Sequence, residues 1–463
     1  MSLDPDDPTS FRAQAHAALD RMLDGIERGV SGPVWRPMPD EVRRTFDAPL
    51  PLAGRAFSDV TADFEARVAP FTAGNRHPRF FGWVHGGGTA VGALAEMLAA
   101  GLDANVGGRD HAPVEIERQV VRWMRALFRF PDDASGIVVS GTSMANFMAV
   151  IVAKTKRLGA ETRKTGLGGS RLVAYTSTAA HNCVERAFEL CGLGADALRR
   201  IATDASQRID RVALEAAILR DRAAGLIPFM LIGTAGTVDT GAIDDLQSLA
   251  DLASREQLWF HVDGAFGALA VLSPELAPKV AGLERADSVA FDFHKWMQVP
   301  YDAAFLLVRD GVAHRAAFAS EAQYLARATR GLAAGTPWFT DFGPELSRGF
   351  RALKVWFTLM TFGVDMLGEV VAETCRLARV LADRVRREPA LELACEPQLN
   401  IVCFRHRHAD SAELVIRLQE SGLAVPSSTR IDGVPVIRAA IVNHRTTEND
   451  IHALVDAVLK LAE

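Results

Sequence analysis

Short apolar runs and stretches of helical periodicity alternate from His77 to about Pro344, the pattern of a parallel sheet with helical crossovers. The pattern predicts strands at 136–140, 171–175, 229–233, 258–262, 288–291 and 304–308, with helices including 115–128, 144–157, 214–224 and 243–256. From Leu346 it changes. Two long helical stretches come first, then a strand at 400–404, a helix near 412–421, a strand at 434–442 and a last helix ending near Leu461. Upstream, Phe11, Ala18, Met22 and Ile26 recur at helical spacing across about 10–29. A Pro-rich stretch follows (Pro33, Pro37, Pro39, Pro49, Pro51), which reads as an extended arm.

The chain therefore divides into an N-terminal helical and extended arm, 1–75, a large α/β domain, 76–345, and a small C-terminal α+β domain, 346–463. The fold class is α/β, with a mostly parallel central sheet flanked by helices. The arm has little to bury against its own chain, so it is expected to lie on a partner subunit of a homodimer.

Composition narrows the function classes. The 463 residues are 49% hydrophobic and 23% charged, with a net charge of −6 and both signs mixed throughout, as in ordinary globular domains. No basic stripe marks a nucleic-acid partner. The apolar runs read as too short for a membrane span, so no membrane partner is expected. The start, Met1-Ser-Leu-Asp-Pro-Asp-Asp7, is acidic, the reverse of a signal peptide. Five cysteines, odd in number and without metal spacing, read as reduced thiols in the cytoplasm, with no metal site.

The chemistry concentrates in two motifs, His261-Val-Asp263 and Phe293-His-Lys-Trp296, each closing a predicted strand. Strand ends on one edge of a parallel sheet face one crevice, so the carboxylate and the amine can share a ligand. Pyridoxal 5′-phosphate (PLP) needs both: a lysine for its aldehyde and an acid to hold its ring nitrogen protonated. Each residue has a plainer reading. Asp263 alone could be a helix N-cap, and Lys295 a solvated surface lysine; its neighbours Phe291, Phe293, Trp296 and Met297 favour a partly buried amine instead. Ser140-Gly-Thr-Ser143 follows one strand and opens a helix, a place where small residues, hydroxyls and a helix N-terminus can cradle a phosphate. His181 follows another strand and could stack on a pyridine ring, donate to a carboxylate, or simply cap its own helix. Gly233-Thr-Ala-Gly-Thr237 brings hydroxyls to the same edge.

Together these elements resemble the group II PLP-dependent amino-acid decarboxylases, the aromatic-L-amino-acid decarboxylase type within fold type I. The resemblance runs from about residue 45 to the C-terminus. Further anchors are His77-Pro-Arg-Phe-Phe-Gly82, Phe350-Arg-Ala-Leu-Lys-Val-Trp356 and Asn443-His-Arg-Thr-Thr447. It implies that Lys295 carries PLP as a Schiff base and that Asp263 pairs with the ring nitrogen. His181 would stack over the ring and Ala265 pack beneath it. Thr142, Ser143 and His294 would hold the phosphate with Asp292 nearby, and Thr234 would sit near the phenolic oxygen. Arg438 would meet the substrate carboxylate. Phe81-Gly-Trp-Val-His85 would line the side-chain pocket, Trp83 and His85 included, although aromatic residues in such a run are usually core.

Two positions depart from the family pattern. Where relatives carry a lid tyrosine that returns a proton to Cα, counting back from Arg351 reaches Phe339, which has no proton to give. Asp292 stands where aromatic decarboxylases usually have Asn, which puts its contact with phosphate in question. The segment 326–343, with Gly331, Gly335 and Gly343, reads as a lid. The resemblance implies decarboxylation of an L-amino acid, aromatic or apolar in side chain, to the amine and CO2. The alternative is decarboxylation-dependent oxidative deamination to an aldehyde, which the Phe339 departure invites. A different PLP reaction, such as a transaminase step, is a further reading. A non-catalytic binding module is weaker still, because Lys295, Asp263 and His181 are all present.

Overall fold

The computed structural model describes residues 2–320 and 327–463; Tyr324 and Ala326, the first residue of the expected lid, lie outside them. The strands are Phe80–Phe81 (β1), Ser135–Val139 (β2), Leu172–Ser177 (β3), Leu198–Ile201 (β4), Ile227–Thr234 (β5), Trp259–Asp263 (β6), Ser288–Asp292 (β7), Ala304–Val308 (β8), Leu391–Leu393 (β9), Ile401–His406 (β10), Val425–Ile431 (β11) and Val434–Ala440 (β12). All six strands predicted for the central sheet form, each within two residues of its expected ends.

The central sheet runs β2-β8-β7-β6-β5-β3-β4. Its pairs are parallel except where β8 turns back between β2 and β7. Almost every residue of β2, β3 and β5 to β8 is buried, because helices cover both faces, which is why these strands read as continuous apolar runs. The edge strand β4, Leu-Arg-Arg-Ile, buries only its two ends. Its charged centre conceals it in the sequence.

The second sheet runs β1-β11-β12-β10-β9. Phe80 and Phe81 pair in parallel with Val425 and Pro426, so the strand after the arm enters the C-terminal sheet, not the central one. The two long helical stretches form one run, Ala352–Arg387, broken at Gly363, where φ is 69° and ψ 166°. Only glycine enters that region freely. Contrary to the sequence expectation, one 18-residue window of this run, at mean hydropathy 1.4, is long and apolar enough to cross a membrane. Leu353, Val355, Leu367, Val371, Leu377 and Leu381 are nevertheless buried in the two cores.

The arm helices Pro8–Arg28, Asp40–Arg44 and Phe57–Arg67 bury no residue. Phe46, Leu50, Leu52 and Phe64 stand exposed. The arm is tied to its own chain at Val34, which is buried with Phe80 and Val425 and donates its N–H to Gly422 O at 2.9 Å.

Candidate active site

The site forms where β3, β5, β6 and β7 end along one edge of the central sheet. In register, Thr234 at the end of β5 lies opposite Asp263 at the end of β6, and Asp263 lies opposite Ala290 of β7. Lys295 follows β7 directly, and its Nζ reaches Asp292 Oδ2 at 2.9 Å. The helix Thr142–Leu158 starts at the same edge, since Thr142 N donates to Asp292 Oδ1 at 2.7 Å.

Asp263 is buried and accepts from Asn146 Nδ2 at 2.9 Å and from Ala265 N at 3.2 Å. Burial pushes its pKa up, while the Asn146 hydrogen bond and the charge of Lys295 pull it down. A ring N–H placed against this carboxylate would meet an acceptor whose desolvation makes a partner cation worthwhile. His181 sits at the N-cap of the helix Asn182–Leu190 and accepts from Cys183 N through Nδ1 at 3.2 Å. The capping role is thus present, and it leaves Nε2 to carry the proton of the neutral ring. Burial lowers the His181 pKa, and the nearby Asp263 carboxylate opposes that shift. His294 is held by Ala303, whose carbonyl lies 2.9 Å from Nδ1.

Two hydroxyls support the fit of PLP. Thr142 Oγ1 and Thr234 Oγ1 are buried with no hydrogen-bond partner, an arrangement that costs about 1–3 kcal/mol per group unless something completes it. Thr142, with Ser143 and His294, would hold a phosphate; Thr234 would meet a ring oxygen. Gly86 leaves room beside them, since a Cβ there would come within 2.5 Å of the His294 and Lys295 carbonyls.

Other expected residues have different surroundings. Asp292 turns its two oxygens to the Thr142 N–H and to Lys295; an ionised carboxylate has no proton for a phosphate, so it holds the lysine instead. Phe339 does not join the cluster. It is buried under Arg348, whose Cζ lies 5.1 Å from the ring, and it lines a cavity of about 1060 Å³ together with Ser135 and Gly136. Those two residues begin β2, whereas the site gathers at strand ends. The described part of the expected lid carries the 3-10 turn Phe339–Asp341. Trp338 packs between Arg109 and Arg327, at 4.5 and 5.1 Å from its ring.

Arg438 is buried and mostly occupied. Nε donates to Val238 O at 2.7 Å, and Nη1 to Trp83 O and Ser427 Oγ, both at 3.0 Å. Only Nη2 is buried without a partner, which leaves one nitrogen, with two N–H groups, for a carboxylate. Trp83 and His85 belong to an aromatic array. His85 stacks 5.8 Å from Phe80 and 5.7 Å from Trp83, and meets Tyr301 edge-on at 5.7 Å; Tyr301 lies 4.3 Å from His294. Two residues at the site were not read from the sequence. Asn146 carried no signal of its own; Tyr301 did, as one of only three tyrosines, but nothing tied it to the site.

The chain matches the family model described as the pyridoxal-dependent decarboxylase conserved domain over residues 39–407. It is 31% identical to the aromatic-L-amino-acid decarboxylase of Bacillus atrophaeus, across 98% of this chain and 95% of that one. It is also 31% identical to the L-2,4-diaminobutyrate decarboxylase of Rhizobium meliloti, across 89% and 83%. The crystal structure of mouse CSAD superposes with a TM-score of 0.92 at 25% identity, covering 99% of each chain. Sequence motifs, sheet-edge geometry and these likenesses converge: the chain belongs to the pyridoxal-dependent decarboxylase family and is a PLP-dependent amino-acid decarboxylase of fold type I.

Proposed function

We propose that the chain decarboxylates an aromatic L-amino acid to the corresponding amine and CO2. The observation that carries this reading is the array of Phe80, Trp83, His85 and Tyr301, which ends on His294, the residue before Lys295. Offset and edge-on rings of this kind favour a planar aromatic guest over a charged one. The two equally similar relatives act on different side chains by name, so the array, not overall likeness, supports the choice.

PLP, when bound, supplies an electron sink for the bond at Cα. In this reading Lys295 would hold it through the aldehyde, with Asp292 steadying the lysine ammonium when it is free. Asp263 would keep a proton on the ring nitrogen, and His181 and Ala265 would pack against the ring. Arg438 Nη2 receives the carboxylate and orients it. An aldehyde-forming reaction is the second reading, since no tyrosine stands between Leu325 and Arg351.

The protein is proposed to act as a homodimer in the cytoplasm. Exposed Phe46, Leu50, Leu52 and Phe64 give the arm an apolar surface for a second copy, and all five cysteines are free thiols. The test of function is incubation of the holoenzyme with a panel of L-amino acids in air, with CO2, amine, aldehyde and peroxide measured together. CO2 and amine from aromatic members alone support the reading; CO2 from a charged member alone overturns the substrate class.

A further inference from the structure

We propose that the Tyr301 hydroxyl is the acid that delivers a proton to Cα after CO2 has left. This deepens the decarboxylation reading and rests on it.

Loss of CO2 leaves an electron pair at Cα, and an amine forms only if an acid meets it. Tyr175 is excluded, because its hydroxyl is committed to Asp221 at 3.0 Å inside the core. Phe339 has no proton and lies under Arg348. Among the described residues, Tyr301 is the phenol that the fold brings to the site: its ring sits 4.3 Å from His294, one residue before Lys295, and edge-on to His85 on the aromatic side. Burial and the Asp292 carboxylate both raise its pKa, so it stays a neutral donor at any physiological pH. His181 is the competing acid, but burial lowers its pKa.

The step balances without an oxidant. The bond from Cα to the carboxylate breaks and CO2 departs, the electron pair remaining with Cα. The O–H bond of Tyr301 then breaks, its proton forms the new Cα–H bond, and the phenolate takes a proton from solvent. Where that proton is withheld, O2 accepts the electrons and water completes the conversion to aldehyde, ammonia and hydrogen peroxide.

The test uses holoenzyme, wild type and Tyr301→Phe, with an aromatic L-amino acid in air. Phenylalanine keeps the ring against His294, so the visible cofactor band and the melting temperature should hold. Amine formation should fall about 10²–10⁴-fold, the range for losing a general acid, while CO2 still evolves and aldehyde and peroxide rise. Tyr301→His, which has a ring proton to give, should recover part of the amine. Unchanged amine in Tyr301→Phe with CO2 still evolving overturns the role of Tyr301 and leaves decarboxylation standing, as would loss of amine in His181→Gln alone. No CO2 from the wild type with any L-amino acid overturns the underlying reading instead. If Tyr301→Phe loses the cofactor band, Tyr301→His decides: a band without amine counts against the proposal, and a band with amine supports it.

Discussion

Asn146 donates its side-chain amide to Asp263 Oδ2 at 2.9 Å, and a buried series of hydrogen bonds fixes that direction. Asp263, when ionised, only accepts, so Asn146 must turn its NH2 toward it and its Oδ1 toward His261 Nε2, 2.9 Å away. Nε2 therefore carries the proton. Burial pushes the His261 pKa down to about 3, so the ring is neutral and Nδ1 is bare. Ser288 Oγ, 2.8 Å from Nδ1, donates to it and in turn accepts from Trp259 Nε1 at 2.8 Å. The indole, a donor only, thus sets the sense of a relay that ends on the Asp263 carboxylate.

Asn146→Leu should remove the donor that keeps Asp263 anionic and leave His261 N–H unpaired. A hydrogen bond to a charged group is worth about 1.5–3 kcal/mol, so retention of PLP should weaken about 10- to 100-fold. Equilibrium dialysis of the cofactor checks this, and unchanged affinity would show that burial alone governs Asp263.

Acid should destabilise the fold in a defined window. His261 and His314 are both held down to about 3 by burial, whereas an unfolded histidine titrates near 6.5. Between those values the unfolded chain binds more protons, so stability falls as pH drops below about 6.5, by about 1.4 kcal/mol per unit for each histidine. Asp244, raised by burial to about 6, has the opposite sign and offsets one histidine below pH 6. Urea midpoints at pH 7 and 5 should therefore differ, with the lower value at pH 5.

Phe339→Tyr should leave the ratio of amine to aldehyde as it was. The new hydroxyl would be buried beneath Arg348, away from Lys295, at a cost to stability of about 1 kcal/mol. A sharp rise in amine would mean that Phe339 reaches a reacting Cα after all.

How much was legible follows the reach of each signal. Asp263 and Lys295 close apolar runs on adjacent strands, so periodicity and motif placed them together, and both strands form within a residue of their expected ends. Asn146 lies within a helix, in contact with a carboxylate 117 positions onward, and no local pattern records such a pairing. Counting back along the chain matched Phe339 to a family position, but counting does not follow a backbone that folds Trp338 between two arginines. The pair Phe80–Phe81 is too short for any period, so its place in the C-terminal sheet was unreadable.

The arm should bring two copies together. Light scattering at micromolar concentration should give twice the chain mass, and replacing Leu50 and Leu52 with Asp should shift the protein toward monomer. A monomeric mass at that concentration, with activity intact, would contradict the homodimer.

Borohydride reduction of the holoenzyme, followed by peptide mass mapping, tests the central assignment most directly. The reduced pyridoxyl group should appear on the peptide that holds Phe293-His-Lys-Trp296, at Lys295, and be lost in Lys295→Ala. The group on any other lysine would contradict it.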